Sequence, residues 1–105
     1  MTGSDLHQLL LQKWGRSYDV QLRRVQNRLY LQVMWKYLEQ VSFPLSPEQY
    51  HDRLERMANH LTALQVVEQV QTFIQETSER PRVGKAVSVP LSLTLGARSA
   101  EWLVD

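Results

Sequence analysis

Apolar residues along this 105-residue chain switch repeatedly between two spacings, and that switching narrows the possible folds more than any motif does. Leu6, Leu9, Leu10 and Trp14 recur at the 3.6-residue period of a helix, which predicts one over residues 4 to 14. Gly15 follows the last of them, where a left-handed residue ends a helix at little cost. The period then drops to two. Tyr18, Val20 and Leu22 alternate with Asp19, Gln21 and Arg23. Leu29, Leu31, Val33 and Trp35 alternate in turn with Tyr30, Gln32, Met34 and Lys36. Each alternation marks a half-buried strand with the apolar set facing inward. Between the two runs "VQNR" is short and Asn27 tolerates positive φ, which predicts a β-hairpin.

Helical spacing returns after "FPLSPEQY". Ser46 suits an N-cap, Pro47 the first helical position, and Gln49 the reciprocal bond of a capping box. Tyr50, Leu54, Met57, Leu61 and Leu64 then step along one face, and Val67, Val70, Phe73, Ile74 and Thr77 resume it. One helix over residues 47 to 78 would be long for so small a domain, so two are expected, broken near Gln65 although no glycine or proline marks the place. "RPRVGK" then has the proline and glycine of a loop. Val87, Val89, Leu91, Leu93 and Leu95 alternate with Ser88, Pro90, Ser92 and Thr94 as a third strand. Pro90 cannot donate to a ladder, so this strand belongs at an edge or a bulge. The tail "ARSAEWLVD" reads as a short helix with Trp102 and Leu103 folded back.

The order α-β-β-α-α-β-α predicts an α+β domain: a three-stranded sheet, made of the hairpin and the C-terminal strand, packed against helices. With 43% apolar residues, residues 1–105 are expected to form a single domain burying roughly 60 to 65% of the unfolded surface.

The stretch "KWGRSYDVQLRR", residues 13 to 24, gathers Trp14, Tyr18 and four cations and so invites reading as a site. Packing explains most of it. Trp14 closes the inward face of the helix, Gly15 supplies the turn, and Tyr18 begins the inward face of the strand. Arg16 and Asp19 are near enough in sequence to pair or to bond the helix-end carbonyls. The stretch is expected to be mainly a joint.

Chemistry is sparsely represented. Without cysteine there is no disulfide and no thiolate ligand. The histidines are His7, His51 and His60, and His51 with Glu55 shares a helix turn but no third ligand, so these are expected to be solvated rather than metal-binding or catalytic. Neither a G-x-S-x-G elbow nor a glycine-rich phosphate loop occurs. No enzyme activity, no metal and no cofactor are expected. No apolar run reaches about 18 residues and no signal pattern opens the chain, which predicts a soluble cytoplasmic protein without a transmembrane segment.

Charge is the better signal. The net +1 conceals six basic residues from Lys13 to Lys36 against Asp19 alone, then seven acids from Tyr37 to Glu79 against Arg53 and Arg56, then four basic residues from Arg80 to Arg98. The sheet's open face would carry Gln21, Arg23, Tyr30, Gln32, Met34, Ser88 and Ser92. Arg16, Arg23, Arg24, Arg28, Tyr30, Arg80, Arg82 and Lys85 are the candidate binding residues. If the basic segments share one sheet, their cations are expected to merge into one surface opposed to acidic helices.

"LHQLLLQKWGRSYDVQLRR", "LYLQVMWKYLEQVSFPLS" and "ERPRVGKAVSVPL" resemble a family of small cyanobacterial and chloroplast proteins known only as a domain of unknown function. The resemblance spans nearly the whole chain. It implies an oxygenic-photosynthetic lineage and a cytoplasmic or plastid-stromal setting, and it transfers no catalytic residue. The leading expectation is a non-enzymatic interaction module, an accessory or assembly factor that meets an acidic protein partner through its basic surface. The alternative is a nucleic-acid-binding module using the same surface, although Tyr30 alone offers stacking where single-strand binders present several aromatics. A third reading, an enzyme, would require a deep pocket holding His51, His60 or a buried carboxylate.

Overall fold

A computed structural model describes residues 1–93. Helix α1 (Gly3–Trp14) starts one residue before the predicted boundary because Thr2 caps it. The Thr2 hydroxyl accepts from the Asp5 N–H at 3.1 Å and the Asp5 carboxylate from the Thr2 N–H at 2.9 Å. The T-x-x-D spacing was the available signal. Gly15 ends the helix at φ 75°, as expected. Strands β1 (Tyr18–Val25) and β2 (Arg28–Tyr37) follow. Their two-residue loop has Gln26 and Asn27 at φ 49° and 68°, the positive pair that matches the twist of a tight hairpin.

Ser46 and Gln49 form the expected capping box of α2 (Pro47–Ala63), with Pro47 inside its start. The break at Gln65 is real. Helix α3 (Val67–Glu76) begins two residues later. Gln65 adopts φ 60°, its N–H bonds the Thr62 carbonyl and that of Val66 bonds the Leu61 carbonyl, both at 3.1 Å. That pair of bonds is a Schellman cap. A non-glycine in this conformation costs about 1–2 kcal/mol. Fully burying a valine returns about 1.5–3 kcal/mol, and Val66 is completely buried against Leu61 and the rest of the core. Burial of Val66 therefore outweighs the strain at Gln65.

Strand β3 (Val87–Leu91) completes an antiparallel sheet of order β1-β2-β3. Pro90 thus lies on an edge strand, as its missing N–H requires. Leu22↔Leu31↔Val89 and Val33↔Val87 line the inward face. Leu6 and Leu10 from α1, Tyr50, Leu54 and Leu61 from α2, and Val70 and Ile74 from α3 fill the space against them, all with no exposed surface. The three described helices therefore cover the same face. The α+β fold is as read, in the order α-β-β-α-α-β. The closing helix, Leu95, and the placement of Trp102 and Leu103 lie outside the described residues.

Two expectations fail at the far end of β2. Tyr18 pairs with Tyr37 but Val20 with Val33, so Met34, Trp35 and Lys36 stand opposite Asp19 alone. This irregularity takes Trp35 out of the inward set; it is half-buried and outside the core cluster. Arg16 and Asp19 also do not pair. The Arg16 guanidinium lies over the Tyr37 ring, 4.4 Å from its centre, while Asp19 takes Arg53 of α2 at 3.3 Å.

Candidate binding surface

The face of the sheet that no described element covers is built in rows that the register dictates. Gln21, Gln32 and Ser88 are cross-strand neighbours. Gln21 donates to Gln32 at 2.8 Å and Gln32 to Ser88 at 3.2 Å, so one chain of amides and a hydroxyl spans all three strands. The next row toward the hairpin is Arg23, Tyr30 and Pro90, and beyond it Val25 pairs with Arg28. Neither Gln21–Gln32 nor β3 contains a carboxylate. Arg24 has the opposite parity, pairing with buried Leu29, so it emerges on the helix side of the same tip. There Arg24, Asn27 and Arg28 meet Pro90 to Leu93 around a shallow groove of about 430 Å³. The Gln69 amide clamps its far wall, donating to the Ser92 carbonyl at 2.9 Å and accepting the Ser92 N–H at 2.8 Å.

The eight candidate residues do not merge into one surface. Because β3 runs antiparallel to β2, Leu91 sits beside Leu29 at the hairpin end and Val87 beside Val33 at the other. Arg80, Arg82 and Lys85 precede Val87, so they join Arg16 at the end away from Arg23, Arg24, Arg28 and Tyr30. The shared sheet was read correctly. What the sequence did not contain was which end of β3 meets the hairpin.

The second end is an interlocked joint. Tyr50 is buried and its hydroxyl donates to the Tyr18 carbonyl at 2.8 Å; burial pushes that phenol's pKa above its ordinary value, with Asp19 and Glu39 adding to the effect. The Ser17 N–H donates to Glu39 at 2.8 Å and its carbonyl accepts from Leu38. His7 departs from the solvated expectation. Its Nε2 lies 2.8 Å from the Ser17 hydroxyl, and its ring meets His51 and Tyr50 edge-on at 5.0 and 5.7 Å. Desolvation and the nearby His51 hold its pKa below the usual range, against a weaker pull from Glu39. Asp19 shifts upward because burial outweighs the Arg53 charge. Glu55, grouped with His51 from sequence, instead accepts the Gly3 N–H at 2.7 Å. The Trp14 indole donates to the Glu79 carbonyl at 3.1 Å, which fixes the loop leading to Arg80. "KWGRSYDVQLRR" is thus a joint for most of its length and contributes to the sheet's surface through Gln21, Arg23 and Arg24. Among the described residues no three His, Asp or Glu side chains converge as metal ligands, and no helix is long and apolar enough to cross a membrane.

The family described as Domain of unknown function (DUF3067) matches the chain over residues 4–103. The solution NMR structure of the Alr2454 protein from Nostoc sp. strain PCC 7120 is similar over 100% of this chain and 99% of its own length, at 58% identity and a TM-score of 0.86. No curated protein matches. The family and the cyanobacterial relative agree with the uncharacterised-family and cyanobacterial parts of the resemblance read from the sequence blocks.

Proposed function

The chain belongs to the family described as Domain of unknown function (DUF3067), and on that premise we propose that it is a non-enzymatic interaction module, an accessory or assembly factor of a photosynthetic organism, that docks an acidic protein partner. The carrying observation is that, among the described residues, the three helices pack on one face of the sheet and no element covers the other, which is free of carboxylates from Gln21 to Gln32. Arg23 and Arg28 supply charge there, Arg24 extends it around the tip, and Tyr30 supplies an aromatic anchor beside Arg23 near the hairpin end of the middle strand. Aromatic and arginine side chains carry a disproportionate share of interface energy. The Gln21–Gln32–Ser88 chain holds the platform in place before a partner arrives, which lowers the ordering cost of association. Arg16, and separately Arg80, Arg82 and Lys85, lie toward the other end of the sheet and are not part of this surface.

The test is affinity capture from a cyanobacterial extract with and without nuclease, comparing the wild type with Arg23→Glu/Arg24→Glu/Arg28→Glu. A specific set of proteins is expected to survive nuclease, to be lost in the triple variant, and to dissociate as salt shortens a Debye length of about 10 Å at 0.1 M. Capture that disappears with nuclease would transfer the surface to nucleic acid. Capture unchanged by the three reversals would remove the hairpin end from the function.

A further inference from the structure

We propose that the turn Arg82–Lys85 and the segment entering it bind an oxyanion of the phosphate class. This inference goes beyond the docking surface, since Val87 to Leu91 separates the two places by about 13 Å of strand.

Arg82 and Lys85 form the smallest possible ladder: the Arg82 N–H bonds the Lys85 carbonyl at 3.0 Å and the Lys85 N–H bonds that of Arg82 at 2.7 Å. Gly84, at φ 81°, supplies the left-handed third position that lets the turn close. Directly opposed residues of an antiparallel pair project to the same side, and like charges so placed destabilise the pair. No carboxylate forms an ion pair with them: among the described residues the single ion pair is Arg53–Asp19. Arg80 stands two residues upstream. The three cations, with Ser78 and Glu79, surround a hollow of about 240 Å³ that opens against Ala86 and Val87.

Three cations against Glu79 leave two positive charges in excess, the complement of a phosphate dianion. Guanidinium forks match tetrahedral oxyanions in a bidentate way, with an ammonium as a third point charge. The hollow is below the size of a drug-like pocket, which suits a small oxyanion with its water. It is also held open before binding. Trp14 fixes the Glu79 carbonyl, Thr77 accepts the Glu79 N–H at 3.1 Å, and Pro81 is buried between them and the turn. A like-charge pair held on one turn, exposed and without an ion pair, has its cost offset when an anion arrives.

Nuclear magnetic resonance titration of the whole protein with inorganic phosphate, at constant ionic strength, tests this. Amides from Glu79 to Val87 are expected to shift and saturate while those from Arg23 to Tyr30 do not. Arg82→Gln/Lys85→Gln is expected to weaken the response about tenfold or more, since two charge-assisted bonds are lost, and Lys85→Arg to retain it. Vesicles of phosphatidylglycerol and phosphatidylcholine distinguish the sources of that chemistry. Cosedimentation abolished by the double variant assigns a lipid headgroup, and phosphate shifts without cosedimentation assign a soluble phosphate. Absence of saturation with no cosedimentation, or equal shifts at the hairpin, overturns the site.

Discussion

At the hairpin end of the sheet, Arg23, Arg24 and Arg28 stand on a ribbon held by its own ladder and by two residues in positive φ; toward the other end, where Arg16, Arg80, Arg82 and Lys85 lie, the elements are tied together across the chain. Tyr50 reaches Tyr18, Ser17 reaches both His7 and Glu39, and Trp14 reaches Glu79, over sequence separations of 32, 10, 22 and 65 residues. Both ends are basic, yet they respond to mutation for different reasons. Side chains at the hairpin have little to lose from the fold, so their chemistry is free for a partner. Those at the joint hold elements together, so loss of function there has to be separated from loss of structure.

The largest effect should come from the joint. Tyr50→Ala removes a fully buried ring and is expected to cost about 3–5 kcal/mol, while Tyr50→Phe, which only orphans the Tyr18 carbonyl, should cost about 1–3 kcal/mol. Chemical denaturation of both variants separates the ring from the hydroxyl. A cost for Tyr50→Ala below that of a surface substitution would break the contrast between the ends.

Gly3→Ala comes next and its sign is diagnostic. Within an ordinary helix the change gains about 1 kcal/mol. A Cβ on Gly3 would lie 2.7 Å from the backbone nitrogen of Glu55 and 2.8 Å from its Cα, so α1 and α2 must separate. A net loss of about 1–3 kcal/mol is expected, read as a lowered denaturation midpoint; a gain would mean the helices do not approach so closely. A Cβ at Gly15 would meet nothing within 4 Å, so Gly15→Val costs chiefly through its left-handed backbone. A loss of about 1 kcal/mol is expected there, and an unchanged midpoint would contradict the αL conformation.

A pH dependence sharpens the same contrast. His7 has its pKa held below the ordinary 6.5, facing His51, Glu39, Ser17 and the Tyr50 ring. A folded value below the unfolded one means that charging His7 opposes folding. Its contribution is therefore intact above pH 6.5 and is lost as pH falls through that value toward the folded pKa. His7→Gln should flatten the stability profile across that window; the opposite shift of Asp19 is common to both proteins and cancels in the comparison. Parallel profiles would show that His7 keeps its ordinary pKa. The smallest effect belongs to the hairpin. Arg24→Glu/Arg28→Glu should change stability by less than about 0.5 kcal/mol, with an unaltered circular dichroism spectrum, because both side chains are exposed.

Legibility followed the range over which each feature is decided. Gly15, the Ser46–Gln49 capping box, the Gln26–Asn27 turn region and the edge position of Pro90 depend on a few adjacent residues, and the sequence carried them. The inward sets of β1, β2 and β3 were readable for the same reason, Trp35 excepted, since pleating alternates side chains without reference to anything distant. The break at Gln65 was suspected from length alone, and only the burial of Val66 explains it.

What the sequence determined by itself was the list of elements, most of their boundaries, the faces they bury, and the presence of basic segments on either side of an acidic one. Tertiary structure decided which of those cations are neighbours. Periodicity states that a strand exists but carries no direction, and the antiparallel seating of Val87 to Leu91 on Val33 to Leu29 sent Arg82 and Lys85 away from Arg24 and Arg28. The same holds for Trp35, displaced by a pairing irregularity opposite Asp19, and for His7, whose partners Ser17 and His51 come from other elements. Local spacing fixes what a residue can do, and long-range pairing fixes what it does it with.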